Sequence, residues 1–205
     1  MNQVEMNQQA KLSAHFTLGE LTRSKSHPEV YNVPSHVHIE NLKRVCVWLE
    51  ALRERYNERY VLAGSEVLRG AGGQVPKSRL AKAGGQVPKV EVFGENFISR
   101  PDPEVISRPD SEEPIVITSG YRSAELDRKV GGVATSSHLT GCAVDIRVAG
   151  KEQLIRYACI LLDYADETRQ EFDELLLEHG ANGVIWLHFA VRAQGNRRKI
   201  SFLKA

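Results

Sequence analysis

The sequence lacks an excess of charge of either sign. Its 27 lysine and arginine residues are matched by 26 aspartate and glutamate residues, which leaves a formal net charge of +1. Proteins that bind nucleic acid or anionic membranes through their general charge carry a clear basic excess. The balance therefore gives no reason to expect nucleic acid or a membrane as a partner.

Long apolar runs are also missing. No stretch approaches the roughly 20 consecutive apolar residues that a membrane-spanning helix needs. The polar N-terminal residues 1–16 lack the apolar centre of a secretory signal peptide. We therefore expect synthesis in the cytoplasm without a signal peptide.

Cysteine is scarce, with only Cys46, Cys142 and Cys159 in 205 residues. An odd number at wide spacing does not form a disulfide framework and fits a reducing compartment. Cys142 lies between two small residues, which favours a buried thiol over a metal ligand. The length suits a single domain spanning residues 1–205.

Low apolar periodicity marks one internal region, at about 60–113. AGGQVPK occurs there twice, at 71–77 and 83–89, and ISRPD occurs twice, at 98–102 and 106–110. The copies are too short and too few for a solenoid. We predict a surface insertion with one short hairpin at about 90–97. A substrate-covering flap or a partner-binding arm is the alternative.

Capping signals and apolar spacing predict the helices. Thr17 and Glu20 form a capping box that starts a short helix ending near Ser24. Ser35 caps a longer helix, whose apolar residues recur at helical spacing. These residues are Ile39, Leu42, Val45, Cys46, Leu49 and Leu52.

Strands and further helices alternate after the insertion. We predict strands at 114–118, 143–148, 172–178 and 184–191, of which the last two form an antiparallel pair. Helices are predicted from Ser123 to the glycine pair at 131–132 and over 151–168. This order predicts an α+β fold with a mainly antiparallel sheet and flanking helices.

The motif TSSHLTGCAVDIRV, residues 135–148, places His138 and Asp145 seven residues apart. A catalytic zinc site needs three protein ligands and one open position. His188 is the best third candidate, because alternation on its strand can turn it towards a pocket while Phe189 fills the core. The spacing alone leaves two interpretations open, a metal site or a hydrogen-bonded structural pair.

Glu178 is the candidate general base. If Glu178 pairs with Trp186 across the turn, it becomes a diagonal neighbour of His188 on one face of the sheet. A loop one residue longer or shorter would turn Glu178 to the other face. His179 is the alternative base, and a solvated charge at the strand end is the alternative role of Glu178.

Three segments resemble one known family. SGYRSAELDRKVGGVATSSHLTGCAVDI, residues 119–146, resembles the core motif of the M15 zinc peptidases, in which SGYRS and a short helix precede S-x-H-x-x-G-x-A-x-D. HFTLGELTRS (15–24) and WLHFAV (186–191) resemble the phage and prophage branch of that family. The resemblance implies the fold shared by the DD-carboxypeptidases and the hedgehog signalling domain.

The resemblance also implies roles for individual residues. One Zn²⁺ ion would be bound by His138, Asp145 and His188, and Glu178 would activate water. Arg122 would polarise the scissile carbonyl, and Ser136 would hydrogen-bond the substrate. Independently of the resemblance, Trp186 is expected to be a wall of the substrate pocket or a core residue rather than a catalytic one.

Two features depart from the family pattern. Many relatives place the base closer in sequence to the last histidine, whereas Glu178 lies ten residues before it. The insertion at about 60–113 is not part of the pattern either. The first departure bears on the identity of the base and the second on the substrate.

The expected function is hydrolysis of peptide bonds in peptidoglycan stem peptides, by a D-Ala-D-Ala carboxypeptidase or an endolysin-type endopeptidase that acts at the cell wall after release. The alternative is a non-catalytic binding module on the same scaffold, with a structural or lost metal site. The alternative role of Arg122 is structural, as an ion-pair partner of Glu125 or Asp127. The alternative role of Ser136 is to cap a turn.

Overall fold

The computed structural model describes residues 7–62 and 112–204. The repeated motifs and the predicted hairpin at 90–97 lie outside these residues. Where the described parts meet, Asn57 accepts a hydrogen bond from the Glu113 amide at 2.6 Å and donates one to the Glu113 carbonyl at 3.0 Å. Residues on the two sides of the undescribed segment are therefore adjacent.

Two helices form the N-terminal part. Helix α1, Leu18–Thr22, begins at the predicted capping box of Thr17 and Glu20. Helix α2, His36–Tyr56, is capped by Ser35 and continues as a π-helix over Asn57–Leu62. The predicted apolar stripe of α2 is buried, although Ile39 at its start is only half-buried.

The C-terminal part alternates strands and helices, and most bounds agree with prediction. In chain order the elements are β1 Ile117–Ser119, α3 Ala124–Lys129, a 3₁₀ helix at Ser137–Thr140, β2 Ala143–Arg147, α4 Lys151–Thr168, β3 Glu174–His179, β4 Ile185–Ala190 and β5 Lys199–Lys204.

The strands form one sheet in the order β1-β2-β4-β3-β5. All neighbours are antiparallel except β3 and β5. The α+β fold with a mostly antiparallel sheet is therefore confirmed. Strand β1 is shorter than the predicted 114–118, and β5 was not predicted.

One face of the sheet packs against α2 and α4 to form the core. Trp48 of α2 contacts Phe189 of β4 at 5.1 Å between ring centroids. Both side chains are almost fully buried, and burying such an aromatic side chain contributes roughly 1.5–3 kcal/mol. Because side chains alternate along a strand, the polar residues beside Phe189 lie on the opposite, open face.

Within the described residues no helix has the length and apolar character needed to cross a bilayer.

Candidate metal centre

Strands β2 and β4 place two candidate ligands side by side. Asp145 lies directly opposite His188 in the antiparallel register. Their neighbours Val144, Leu187 and Phe189 are fully buried in the core. The alternation of the two strands therefore presents Asp145 and His188 together on the face away from the helices.

The third candidate, His138, lies in the 3₁₀ helix that leads into β2. Its Nδ1 is 2.7 Å from the Gly120 carbonyl oxygen. A carbonyl can only accept, so Nδ1 carries the proton and Nε2 presents a lone pair. Gly141 ends this helix at φ 70°, where a Cβ would approach the His38 carbonyl oxygen to 2.7 Å. The glycine of the motif thus sets the turn between the two ligands.

The three side chains converge. One ligand atom from each of His138, Asp145 and His188 lies within 4.8 Å of the others, and all three residues are buried. Asp145 Oδ1 is 3.3 Å from His138 Nε2 and 2.9 Å from His188 Nδ1. Zinc bonds of about 2.0–2.1 Å in a tetrahedron place ligand atoms about 3.3 Å apart. The donor set and its spacing fit a zinc ion.

The buried carboxylate of Asp145 and the imidazole of His188 stabilise each other's charges. Burial alone would raise the pKa of Asp145, but the imidazoles of His138 and His188 outweigh it and hold that pKa below its ordinary value. Burial would lower the pKa of His188, yet the carboxylates of Asp145 and Glu174 raise it to about 9. A cation bound next to Asp145 would satisfy this preference for positive charge in place of the His188 proton.

Arg122 holds the outer oxygen of Asp145. Its Nη2 donates to Asp145 Oδ2 at 2.7 Å, its Nε donates to Ser119 Oγ at 2.8 Å, and its Nη1 is 3.5 Å from Asp127 Oδ1. The contact with Asp127 is one of the two ion pairs expected if Arg122 has a structural role. The other expected partner, Glu125, pairs with Lys129 instead. The guanidinium therefore orients a candidate ligand and also lines the cleft.

Glu178 lies in the predicted register. It pairs with Trp186, while His188 pairs with Leu176, so Glu178 and His188 are diagonal neighbours on one face. Burial raises the pKa of Glu178 above its ordinary value, although His188 opposes the shift. A half-buried carboxylate with a raised pKa suits a general base.

His179 lies on the other face of β3. It lines a neighbouring cavity with Leu154 and Ile155 of α4 but does not line the cleft beside the three candidate ligands, whereas Glu178 lines both. The structure therefore favours Glu178 over His179 as the candidate base.

Glu174 was missed by the sequence reasoning. Its carboxylate accepts from Lys199 at 3.1 Å and lies 3.0 Å from Arg197 Nη2, and its other oxygen is 3.8 Å from His188 Nε2. The interaction with His188, together with Lys199, lowers the pKa of Glu174 to about 2 despite burial. Alternation along β3 places Glu174 on the face of Glu178, but its partner Lys199 belongs to β5, which was not predicted.

An open cleft of about 740 Å³ gives access to the three side chains. Trp186 and Ser136 line it, together with Glu174, Glu178 and the three candidate ligands. Ser136 also caps the 3₁₀ helix, since its Oγ accepts from the His138 amide at 3.3 Å.

Cys142 is buried with its thiol 3.9 Å from the Thr140 carbonyl oxygen and is not part of the cluster.

Comparison with known proteins agrees with the arrangement. No curated protein matches the sequence. Residues 107–167 match the family model described as Peptidase M15. The matched segment contains Arg122, Ser136, His138 and Asp145 and ends before His188. This match agrees with the resemblance of the motifs to the M15 family.

Proposed function

We propose that this protein is a zinc-dependent peptidase that hydrolyses peptide bonds of peptidoglycan stem peptides, as a D-Ala-D-Ala carboxypeptidase or an endolysin-type endopeptidase. The convergence of His138, Asp145 and His188 at the base of an open cleft carries the proposal. The family match supports the peptidase class. Mixed imidazole and carboxylate ligands make zinc the default ion.

A zinc ion held by His138, Asp145 and His188 would supply Lewis-acid chemistry for hydrolysis near neutral pH. Glu178 accepts the proton of the attacking water and delivers it to the leaving amine. Its position diagonal to His188 and its raised pKa support both steps. The Gly120 carbonyl keeps the proton of His138 on Nδ1, which leaves Nε2 free.

Arg122, Ser136 and Trp186 line the same cleft and are the proposed substrate-binding residues. The fixed positive charge of Arg122 suits a carbonyl oxygen that gains negative charge during the reaction. The Trp186 ring offers a flat, half-buried wall against which a peptide can lie.

Incubating the full chain with zinc and a synthetic stem pentapeptide ending in D-Ala-D-Ala, followed by mass spectrometry, tests the proposal. Loss of one alanine identifies a carboxypeptidase, and cleavage of a cross-linked dimer identifies an endopeptidase. Chelation should abolish either product and added zinc should restore it. A folded, zinc-loaded chain that cleaves neither substrate nor purified cell walls would instead support a binding module.

A further inference from the structure

A second cavity adjoins the cleft on the far side of Arg122. It measures about 310 Å³ and shares Arg122 and Val130 with the cleft as lining residues. Its other wall is formed by residues 23–26, which follow helix α1. A peptide extending past Arg122 would therefore meet this wall next.

The lining of the cavity is basic and rich in hydroxyl groups. Arg23 and Lys25 join Arg122 there, and none of the described residues that line it carries a carboxylate. The hydroxyl groups belong to Ser24, Ser26, Thr118, Ser119 and Tyr121. In a chain whose total charge is nearly balanced, such a lining favours an anionic ligand.

Arg23 and Lys25 keep their positive charges available. All three nitrogens of the Arg122 guanidinium contact acceptors of the chain, namely Ser119, Asp127 and Asp145. Within residues 7–62 and 112–204, by contrast, neither Arg23 nor Lys25 forms an ion pair. Both are exposed at the rim of the cavity, where they can contact a bound anion.

The backbone that carries Arg23 is held against the SGYRS motif. The Tyr121 amide donates to the Leu21 carbonyl at 2.7 Å. Asn32 donates to the Thr22 carbonyl at 2.6 Å and to the Tyr121 carbonyl at 2.9 Å. Gly120 permits this approach, since a Cβ there would lie 2.2 Å from the Leu21 carbonyl oxygen. The basic wall is therefore positioned before any ligand binds.

We propose that Arg23 and Lys25 form an anion-binding subsite that takes a carboxylate of the peptide substrate, remote from the bond that is cleaved. The proposal rests on the proposed function and specifies its substrate class, namely stem peptides with a free carboxylate along the chain. Because the subsite is remote from the cleaved bond, it contacts the substrate equally in the ground state and in the transition state. It therefore contributes to KM more than to kcat.

Two stem peptides that differ in one group test the subsite. In one, the α-carboxyl of the γ-linked D-glutamate is free, and in the other it is a carboxamide. Wild type should prefer the free carboxylate, and the preference should shrink with added salt. The double variant R23Q/K25Q should raise KM for the carboxylate peptide about fivefold, as expected for two exposed charge contacts, and leave the carboxamide peptide unchanged.

R128Q is the matched control, because it removes an exposed cation that lines neither cavity. It should behave as wild type with both peptides. Equal effects of R23Q/K25Q on the two peptides, or none on either, would overturn the proposal.

Calorimetry on the metal-free full chain separates this proposal from the proposed function. Wild type should bind the carboxylate peptide more tightly than the carboxamide, and R23Q/K25Q should bind the two alike, whether or not the loaded protein cleaves them. Equal affinity of wild type for both peptides would refute the subsite even if cleavage occurs.

Discussion

Two carboxylates flank His188 from the same face of β3, and their surroundings differ. The interaction with His188, together with Lys199, lowers the pKa of Glu174 to about 2, and Arg197 also contacts its carboxylate. Glu178 lies beside Trp186, and in the described part of the chain it forms no ion pair; burial raises its pKa. Two glutamates four positions apart therefore have pKa values shifted in opposite directions, which suits Glu174 to remain charged and Glu178 to be the candidate proton acceptor.

The comparison assigns different tasks to the two residues. Glu178 is the base of the proposed reaction. Glu174 lies 3.8 Å from His188 Nε2, on the side of the ring away from Asp145, so its negative charge favours the ring proton on Nε2 and leaves Nδ1 to a metal. Glu174 is therefore a positioning residue in the proposed mechanism.

The largest expected effect is that of E178Q. The amide has nearly the shape of the carboxylate but cannot accept the proton, so kcat should fall by about 10²–10⁴-fold. Zinc content should stay at the wild-type level, because Glu178 is not a ligand. Steady-state kinetics with metal analysis checks both, and unchanged turnover would remove Glu178 from the base role.

A smaller effect is expected for E174Q. Loss of the charge facing His188 Nε2 should weaken zinc binding by about 10–100-fold. Competition with a chromophoric chelator measures this affinity, and Glu174→Asp, which retains the charge, should recover part of it. If E174Q bound zinc as tightly as wild type but lost activity, Glu174 would act on the substrate instead.

The pH profile tests the raised pKa of Glu178. A base must be deprotonated, so kcat/KM at saturating zinc should rise with pH through the pKa of Glu178, which lies above its ordinary 4.5. Below that pKa the rate should fall about tenfold per pH unit. An acid limb centred at or below 4.5 would show that Glu178 does not control the rate.

The smallest effect is expected for H179Q. This imidazole is exposed on the opposite face of β3, so kcat/KM should stay within about twofold of wild type, as is usual for surface substitutions. A loss of kcat/KM comparable to that expected for E178Q would make His179 the candidate base in place of Glu178.

Local signals predicted much of the fold. The capping boxes at Thr17 and Ser35 start the helices at the expected residues. The pairing of Glu178 with Trp186, which the period-two argument took as its condition, is present. Strand β5 was missed because it is an edge strand that leaves Phe202 76% exposed and Ile200 49% exposed. Such a strand lacks the buried apolar alternation on which prediction depends.

The candidate ligands His138, Asp145 and His188 were foreseeable because each lies in a recognisable local context. The contacts of Arg122 with Asp145 and of Glu174 with Arg197 and Lys199 were not foreseeable, since they depend on which strands are neighbours and on how the residues before β5 fold back. Arg192 and Arg197 both contact the fully buried Asp173 at 2.7 Å. No local pattern joins residues that far apart.

Zinc titration of the metal-free full chain by calorimetry tests the central claim most directly. Wild type should bind one zinc ion per chain, and H138A should lose that site because it removes one of three ligands. Saturation of H138A with the stoichiometry and affinity of wild type would contradict a metal centre built from His138, Asp145 and His188.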